Sequence, residues 1–156
     1  MPTTPAFDLA AAHKYFAAEC FNRAWDLIEK KERTPEDDRL MESLSQASIY
    51  HWQQRSDFTP RNLSVGYWQA SRIQALLGHA PEALRYAQVC LEYSAGLAPF
   101  HLGYAHEALA RAHALAGNAP QAAQALRQAF EFAGLVEDKN DREALLADLK
   151  HLQAGA

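Results

Sequence analysis

Four residues that could bind a ligand occur in this chain as two pairs with one spacing. Arg72 and Arg111 each lie six residues before a glycine, and Trp68 and Glu107 each lie ten residues before the same two glycines. Both pairs are therefore 39 residues apart. Two guanidinium groups on one face can hold a carboxylate or a phosphate through paired hydrogen bonds, and an indole adds a flat apolar wall. The pattern predicts a polar binding site.

The same residues also have a purely structural interpretation. Glu107 precedes Arg111 by four residues, which is the favourable order for an ion pair on one helix. If acids neutralise both arginines, the cluster is an internal ion-pair network. If one arginine stays unpaired, it can hold an anion or the carboxylate of a partner. Both alternatives are open at this point.

Seven histidines invite a metal site, but their spacing does not form one. The chain has no HExxH or HxxxH pattern and no Cys/His cluster with zinc-ligand spacing. We expect His106 and His113 to pack in or near the core, and His13 and His51 to face each other inside the first hairpin. The alternative is a helical-bundle metalloenzyme that collects His13, His51 and His106 with a carboxylate such as Glu19.

Motifs of nucleophilic and nucleotide chemistry are absent, because the chain contains no GxSxG, P-loop or GxGxxG. Cys20 and Cys90 lie far apart and form no CxxC, so we expect two reduced thiols that pack in the interior. The large side chains of Trp25, Trp52 and Tyr50 are expected in the core. No residue is assigned a catalytic role.

Composition narrows the classes of protein. A hydrophobic content of 49% and a charged content of 22% are typical of a soluble globular protein. The net charge of −4 argues against a nucleic-acid-binding protein, and no apolar run is long enough for a membrane span. The first residues do not resemble a secretory signal, so we expect a cytoplasmic location.

Proline and glycine mark the expected helix ends at the same 39-residue period. The repeated triplet is proline, glycine, proline: Pro60, Gly78 and Pro81, then Pro99, Gly117 and Pro120. Proline suits the first turn of a helix, and glycine suits a left-handed C-terminal cap. A fixed period of this length is typical of stacked helical units, and no strand-like alternation competes with it. The sequence predicts an all-α fold of about seven helices in stacked antiparallel hairpins.

These signals divide one domain, residues 1–156, into four parts. They are a degenerate first hairpin, two units with the 39-residue period, and a C-terminal capping helix, over residues 8–55, 60–95, 99–133 and 141–152. The second helix of the first hairpin is expected to turn four residues inward, namely Leu40, Leu44, Ala47 and His51. The capping helix carries a leucine face made of Leu145, Leu146, Leu149 and Leu152.

The turn and second helix of each unit carry a family resemblance. The stretches Gly78-x-x-x-Glu82-Ala83-Leu84-x-Tyr86-Ala87 and Gly117-x-x-x-Gln121-Ala122 resemble tetratricopeptide repeats. Residues 60–133 look like two such repeats, and 35–55 look like part of a third. The chain is also similar to small bacterial repeat proteins. Its period exceeds the usual length of about 34 residues, and the surplus is expected to lengthen the first helix of each unit.

The resemblance implies a concave groove. Equivalent positions in the three units, with the first unit aligned on Pro35, supply its lining: Asn22, Asp26, Trp68, Arg72, Glu107 and Arg111. Arg72 and Arg111 are then expected to point to the same side, toward the first helix, where they form the main polar pocket with Asp26, Trp68 and Glu107.

The expected function is a non-enzymatic interaction scaffold. It would bind a short peptide, a protein partner or a second copy of itself through the groove. The alternative is a small-ligand or anion-binding protein, or a helical-bundle enzyme with or without a metal, that uses the same groove. We expect no cofactor, no tightly bound metal, no nucleic acid and no membrane as a partner.

Overall fold

Seven α-helices make up the structure, a computed structural model that describes residues 3–155, and no strand occurs within that range. The helices are α1 (Leu9–Glu29), α2 (Pro35–Gln53), α3 (Pro60–Leu76), α4 (Ala80–Ser94), α5 (Pro99–Leu115), α6 (Ala119–Gly134) and α7 (Lys139–Gly155). α1 packs with α2, α3 with α4, and α5 with α6, and α7 packs on α5 and α6. The predicted all-α fold of stacked helical hairpins with a capping helix is confirmed. None of the helices has the length and hydropathy that crossing a membrane requires.

Side-chain caps begin the first two helices. Asp8 Oδ1 accepts the N–H of Ala11 at 3.0 Å. At the start of α2, Asp37 N–H donates to Thr34 Oγ1 at 3.1 Å and Thr34 N–H donates to Asp37 Oδ2 at 2.9 Å. A hydrogen bond from Lys30, followed by the Thr34 N–H, lowers the pKa of the Asp37 carboxyl. This reciprocal pairing satisfies two backbone donors that the helix itself leaves free.

Left-handed glycines end α3 and α5 in the same way. Gly78 has a φ of 79° and Gly117 a φ of 78°. In both turns, the residue after the glycine donates its N–H to the carbonyl five positions earlier, at 2.9 Å. α3 and α5 each contain 17 residues. The 39-residue period of the sequence is therefore a period of matching helix starts and helix ends.

Replacing Gly78 or Gly117 with alanine should lower the free energy of unfolding by about 1–2 kcal/mol, because an L-residue is strained at this φ. An added Cβ would meet no atom within 4 Å at either position, so the cost is one of backbone conformation alone. Gly134 is the control, since it is equally open but not left-handed. Gly134→Ala should be neutral or stabilising by up to about 1 kcal/mol. Urea unfolding followed by circular dichroism measures all three, and equal costs at 117 and 134 would contradict the assignment.

Small side chains set the close approach of the helices within a hairpin. Ser48 Oγ of α2 donates to the carbonyl of Ala17 in α1 at 2.7 Å, and Ser71 Oγ of α3 donates to the carbonyl of Ala83 in α4 at 2.8 Å. Ala17 and Ala83 are both completely buried. A serine can reach a helix backbone on the neighbouring helix only where the two axes lie close together.

α7 is seated on α5 at a glycine. Leu145 and Leu149 are fully buried, and Leu152 is nearly so. A Cβ added at Gly103 would lie 2.5 Å from Leu145 Cδ2, so a larger residue at this place in α5 would push α7 away. The predicted leucine face is confirmed, although α7 begins and ends a few residues beyond the predicted 141–152.

Two residues predicted in the core lie on the surface instead. Leu40 is 41% exposed and Tyr50 is 54% exposed, whereas Leu44 is buried as predicted. Within the described residues α2 packs on α1 and α3, and these contacts leave Leu40 and Tyr50 exposed. Ala47, His51, Trp25 and Trp52 are partly buried.

Candidate functional site

The six predicted groove residues divide over two cavities. Asn22, Asp26 and Trp68 line a cavity of about 530 Å³, which we call the aromatic cavity. Arg72 and Arg111 line a second cavity of about 400 Å³, which we call the arginine cavity. Glu107 is buried and connects a residue of one cavity with a residue of the other. The single polar pocket predicted from sequence is therefore two sites of different chemistry.

Aromatic rings from three helices form the wall of the aromatic cavity. They are Phe21 and Trp25 of α1, Trp68 of α3, and Phe100 and Tyr104 of α5. The centroids of Trp25 and Trp68 are 5.5 Å apart, with the ring planes inclined by 34°. Tyr104 stands at 77° to Trp68 and at 74° to Phe100, with centroid distances of 5.5 and 5.1 Å. The plane of Tyr104 is therefore nearly perpendicular to the planes of both Trp68 and Phe100.

The polar atoms of these rings are used inside the protein. Each indole or phenol donor bonds to a carboxylate of the chain: Trp25 Nε1 to Glu29 (3.1 Å), Trp68 Nε1 to Glu107 (2.9 Å) and Tyr104 Oη to Asp148 (2.7 Å). These charge-assisted bonds fix the orientation of each ring. What remains for a ligand is the face and the C–H edge of the ring.

Burial changes the pKa of three side chains that line the aromatic cavity. It raises the pKa of the Cys90 thiol to about 11. Burial also raises the pKa of the Tyr104 phenol, and the hydrogen bond to Asp148 adds to the effect. The pKa of His101 is lowered, first by burial and then by the charge of Arg61. At neutral pH the thiol and the phenol therefore keep their protons, and the imidazole is uncharged.

Glu107 is a buried carboxylate with two partners. Its side chain is 1% exposed. Oε2 accepts the Trp68 indole N–H, and Oε1 accepts Arg111 Nη2 in a close ion pair. The spacing in the sequence favoured this ion pair in one of two interpretations left open, and the structure contains the pair. The bond to Trp68 joins the same position of α3 and α5, since the two residues are 39 apart.

The two arginines lie on one side of the molecule, as predicted, but not beside α1. The arginine cavity is closed by the C-terminal part of α7, including His151 and Leu152. Asp26 lines the other cavity, so the predicted pocket that holds it together with both arginines is not formed. Arg72 forms no ion pair with any residue in the range 3–155. Burial, followed by the charge of Arg111, lowers the pKa of Arg72.

Substitution of the two arginines should show that Arg111 stabilises the fold through Glu107 and that Arg72 does not. Arg111→Met leaves the Glu107 carboxylate buried without its counter-charge and should cost about 3 kcal/mol of unfolding free energy. Arg72→Met keeps the apolar stem and breaks no ion pair, so it should change stability by no more than about 0.5 kcal/mol. Guanidinium chloride unfolding measures both.

A double substitution is the control for the first of these effects. Glu107→Gln together with Arg111→Met removes both charges, and should recover part of the loss seen in Arg111→Met alone. A larger loss in Arg72→Met than in Arg111→Met would contradict the assignment of Arg111 as the partner of Glu107.

The histidines form one close pair but no larger group. Nδ1 of His13 and Nδ1 of His51 are 2.8 Å apart, so the two residues face each other as expected. His106 is buried and stacks on Phe132, with centroids 5.5 Å apart and planes 11° apart, and His113 is partly buried. No group of three or more His, Cys, Asp or Glu side chains within residues 3–155 has the geometry of a metal site.

The free energy of unfolding should decrease as the pH falls below about 6.5. Burial lowers the pKa of His51, His101 and His106 in the folded protein, with charged neighbours adding to it at the first two. As the pH falls, the unfolded chain therefore binds protons before the folded protein does, which favours unfolding. The urea midpoint should be lower at pH 5.5 than at pH 7.5, and His106→Phe should reduce the difference. A midpoint that is constant or rises toward pH 5.5 would contradict this.

Several residues of the aromatic cavity were not predicted as part of a site. Tyr104 lies three residues before Glu107, and Trp25 lies three residues after Asn22, so helical spacing from the predicted residues could have found both. Trp25 was instead assigned to the core. Asp148 comes from α7, outside the 39-residue period, and no spacing in the sequence connects it to the cavity.

The fold and the site together define an all-α protein of stacked helical hairpins with two cavities of opposite charge preference. Comparison of the chain with protein-family models, with curated proteins and with solved structures gives no match in any of the three.

Proposed function

We propose that this protein is a non-catalytic, tetratricopeptide-like helical-repeat module that binds a peptide segment of a partner protein across its two cavities. The observation that carries the proposal is that an aromatic cavity with carboxylates and a cavity with an unpaired guanidinium share the helices α3, α5 and α7. A peptide can place an apolar or cationic side chain in one and an anionic group in the other.

The ionisation states in the aromatic cavity support binding rather than catalysis. A nucleophile or general base needs a pKa near the working pH. Here burial raises the pKa of the Cys90 thiol to about 11 and also raises that of Tyr104. His101 packs edge to face against Phe100, and no carboxylate in residues 3–155 orients its imidazole by a hydrogen bond.

The proposal includes a cytoplasmic location. Cys20 and Cys90 are both free and buried, which suits a reducing compartment. A second candidate function is the binding of a free anion in the arginine cavity, favoured by the unpaired Arg72. Self-association through the same cavities would make the partner a second copy of the chain.

Selection from a random peptide display library tests the proposal. Peptides enriched on the wild-type protein should bind about 10-fold more weakly or worse to Asn22→Arg, because the exposed side chain of Asn22 lines the aromatic cavity and arginine would obstruct it. Isothermal titration with individual synthetic peptides gives the affinities.

Gln88→Arg is the matched control, because Gln88 is exposed on α4 and lines neither cavity. It adds the same charge and should leave peptide affinity unchanged. Failure to enrich any peptide, or equal binding to wild type and Asn22→Arg, would overturn the proposal. If no peptide is enriched but inorganic phosphate binds the wild-type protein and not Arg72→Met, the result would favour the second candidate.

A further inference from the structure

We infer that the aromatic cavity is a cage for a quaternary ammonium group attached to an apolar body. The inference rests on the proposed function, because it names the chemical group that a bound segment or ligand inserts into the larger cavity. It follows from the arrangement of the rings, the use of their polar atoms and the charges around them.

The rings are arranged as the walls of a cage rather than as a flat stack. Trp68 and Tyr104 meet at 77°, and Tyr104 and Phe100 meet at 74°. Trp25 lies beside Trp68 and extends that wall toward α1. A cation in the corner can therefore contact more than one aromatic ring at once, and indole is the most favourable ring for such a contact.

The hydrogen bonds of the rings favour a ligand without donors of its own. Trp25, Trp68 and Tyr104 each donate to a carboxylate, which uses their N–H and O–H donors and draws electron density into the ring. An unalkylated ammonium would bring three N–H donors into a wall made mostly of ring carbon and would leave some of them unsatisfied. A quaternary ammonium has no N–H group, so it avoids that cost.

The charges at the cavity match a cation. Asp26 and Asp148 line it, and no lysine or arginine does within the described residues. Arg72 and Arg111 line the arginine cavity instead, and Arg111 is neutralised by Glu107. Carboxylates near a desolvated aromatic surface strengthen the attraction of a cation to that surface.

The volume indicates that the cation carries a further group. A cavity of about 530 Å³ lies in the range that small-ligand sites occupy. A trimethylammonium head alone leaves much of this space empty, and the rest of the wall includes the apolar side chains of Phe21 and Val65. The chemistry fits both a free organic cation and the methylated lysine side chain of a partner.

Nuclear magnetic resonance titration with matched probes tests the inference. Choline should shift the indole N–H signals of Trp25 and Trp68 but not that of Trp52, which is not part of the cavity. Its neutral isostere 3,3-dimethylbutan-1-ol should bind about 10-fold more weakly. Nα-acetyl-trimethyllysine amide, compared with the unmethylated lysine amide, distinguishes a methylated side chain from a free cation as the source.

Two variants that change one carboxylate each complete the test. Asp26→Asn should weaken choline binding about 3-fold and leave the neutral isostere unchanged. Glu92→Gln, at an exposed site on α4 that lines neither cavity, should change neither. Equal binding of choline and the isostere, or indole signals that do not respond to choline or to trimethyllysine amide, would overturn the inference.

The outcome is separable from that of the proposed function. If display peptides bind at the aromatic cavity but none of the ammonium probes does, the cage inference fails and the proposed peptide-binding function stands. If the probes bind and no peptide is enriched, the cage stands and the protein is a receptor for a free organic cation. If trimethyllysine amide binds more tightly than choline, the cage stands and its ligand is the modified side chain of a partner.

Discussion

A carboxylate withdrawn from water must find counter-charge and hydrogen-bond donors, and Glu107 imposes that requirement on the centre of this protein. It is 1% exposed, and its two oxygens take the Trp68 indole N–H and the Arg111 guanidinium. The first bond holds a wall of the aromatic cavity in place. The second engages one of two neighbouring arginines and leaves the other unpaired. The different chemistry of the two cavities therefore depends on how one buried charge is satisfied.

Helices pack more closely within the hairpins than α1 packs against α3. Within the hairpins, small side chains such as Ser48 and Ser71 bond directly to the backbone of the neighbouring helix. Between α1 and α3, by contrast, the contacts include the large indoles of Trp25 and Trp68. Gln69 Nε2 of α3 also donates to the Phe21 carbonyl of α1 at 3.0 Å. Indoles hold two helices further apart than serines do, which leaves the space that becomes the aromatic cavity.

Local signals allowed much of the fold to be predicted from sequence, because proline at helix starts and glycine at helix ends act within one helical turn. The same locality explains the success with Glu107 and Arg111, which are four residues apart on one helix. The exposure of Tyr50 was not predictable in this way, because it depends on which other helices pack against α2 in the folded protein. Asp148 could not be placed either, because α7 reaches the cavities through its contact at Gly103 and belongs to no repeated unit.

The contact between Trp25 and Trp68 has an optical consequence. Two indoles with centroids 5.5 Å apart and planes inclined by 34° are close enough for their electronic transitions to couple. Such a pair contributes an exciton couplet to the ultraviolet circular dichroism spectrum, with a sign set by the handedness of the pair. Trp52, which packs instead under the guanidinium of Arg55, does not take part. The wall of the cavity is therefore a chromophore whose geometry can be observed without adding a label.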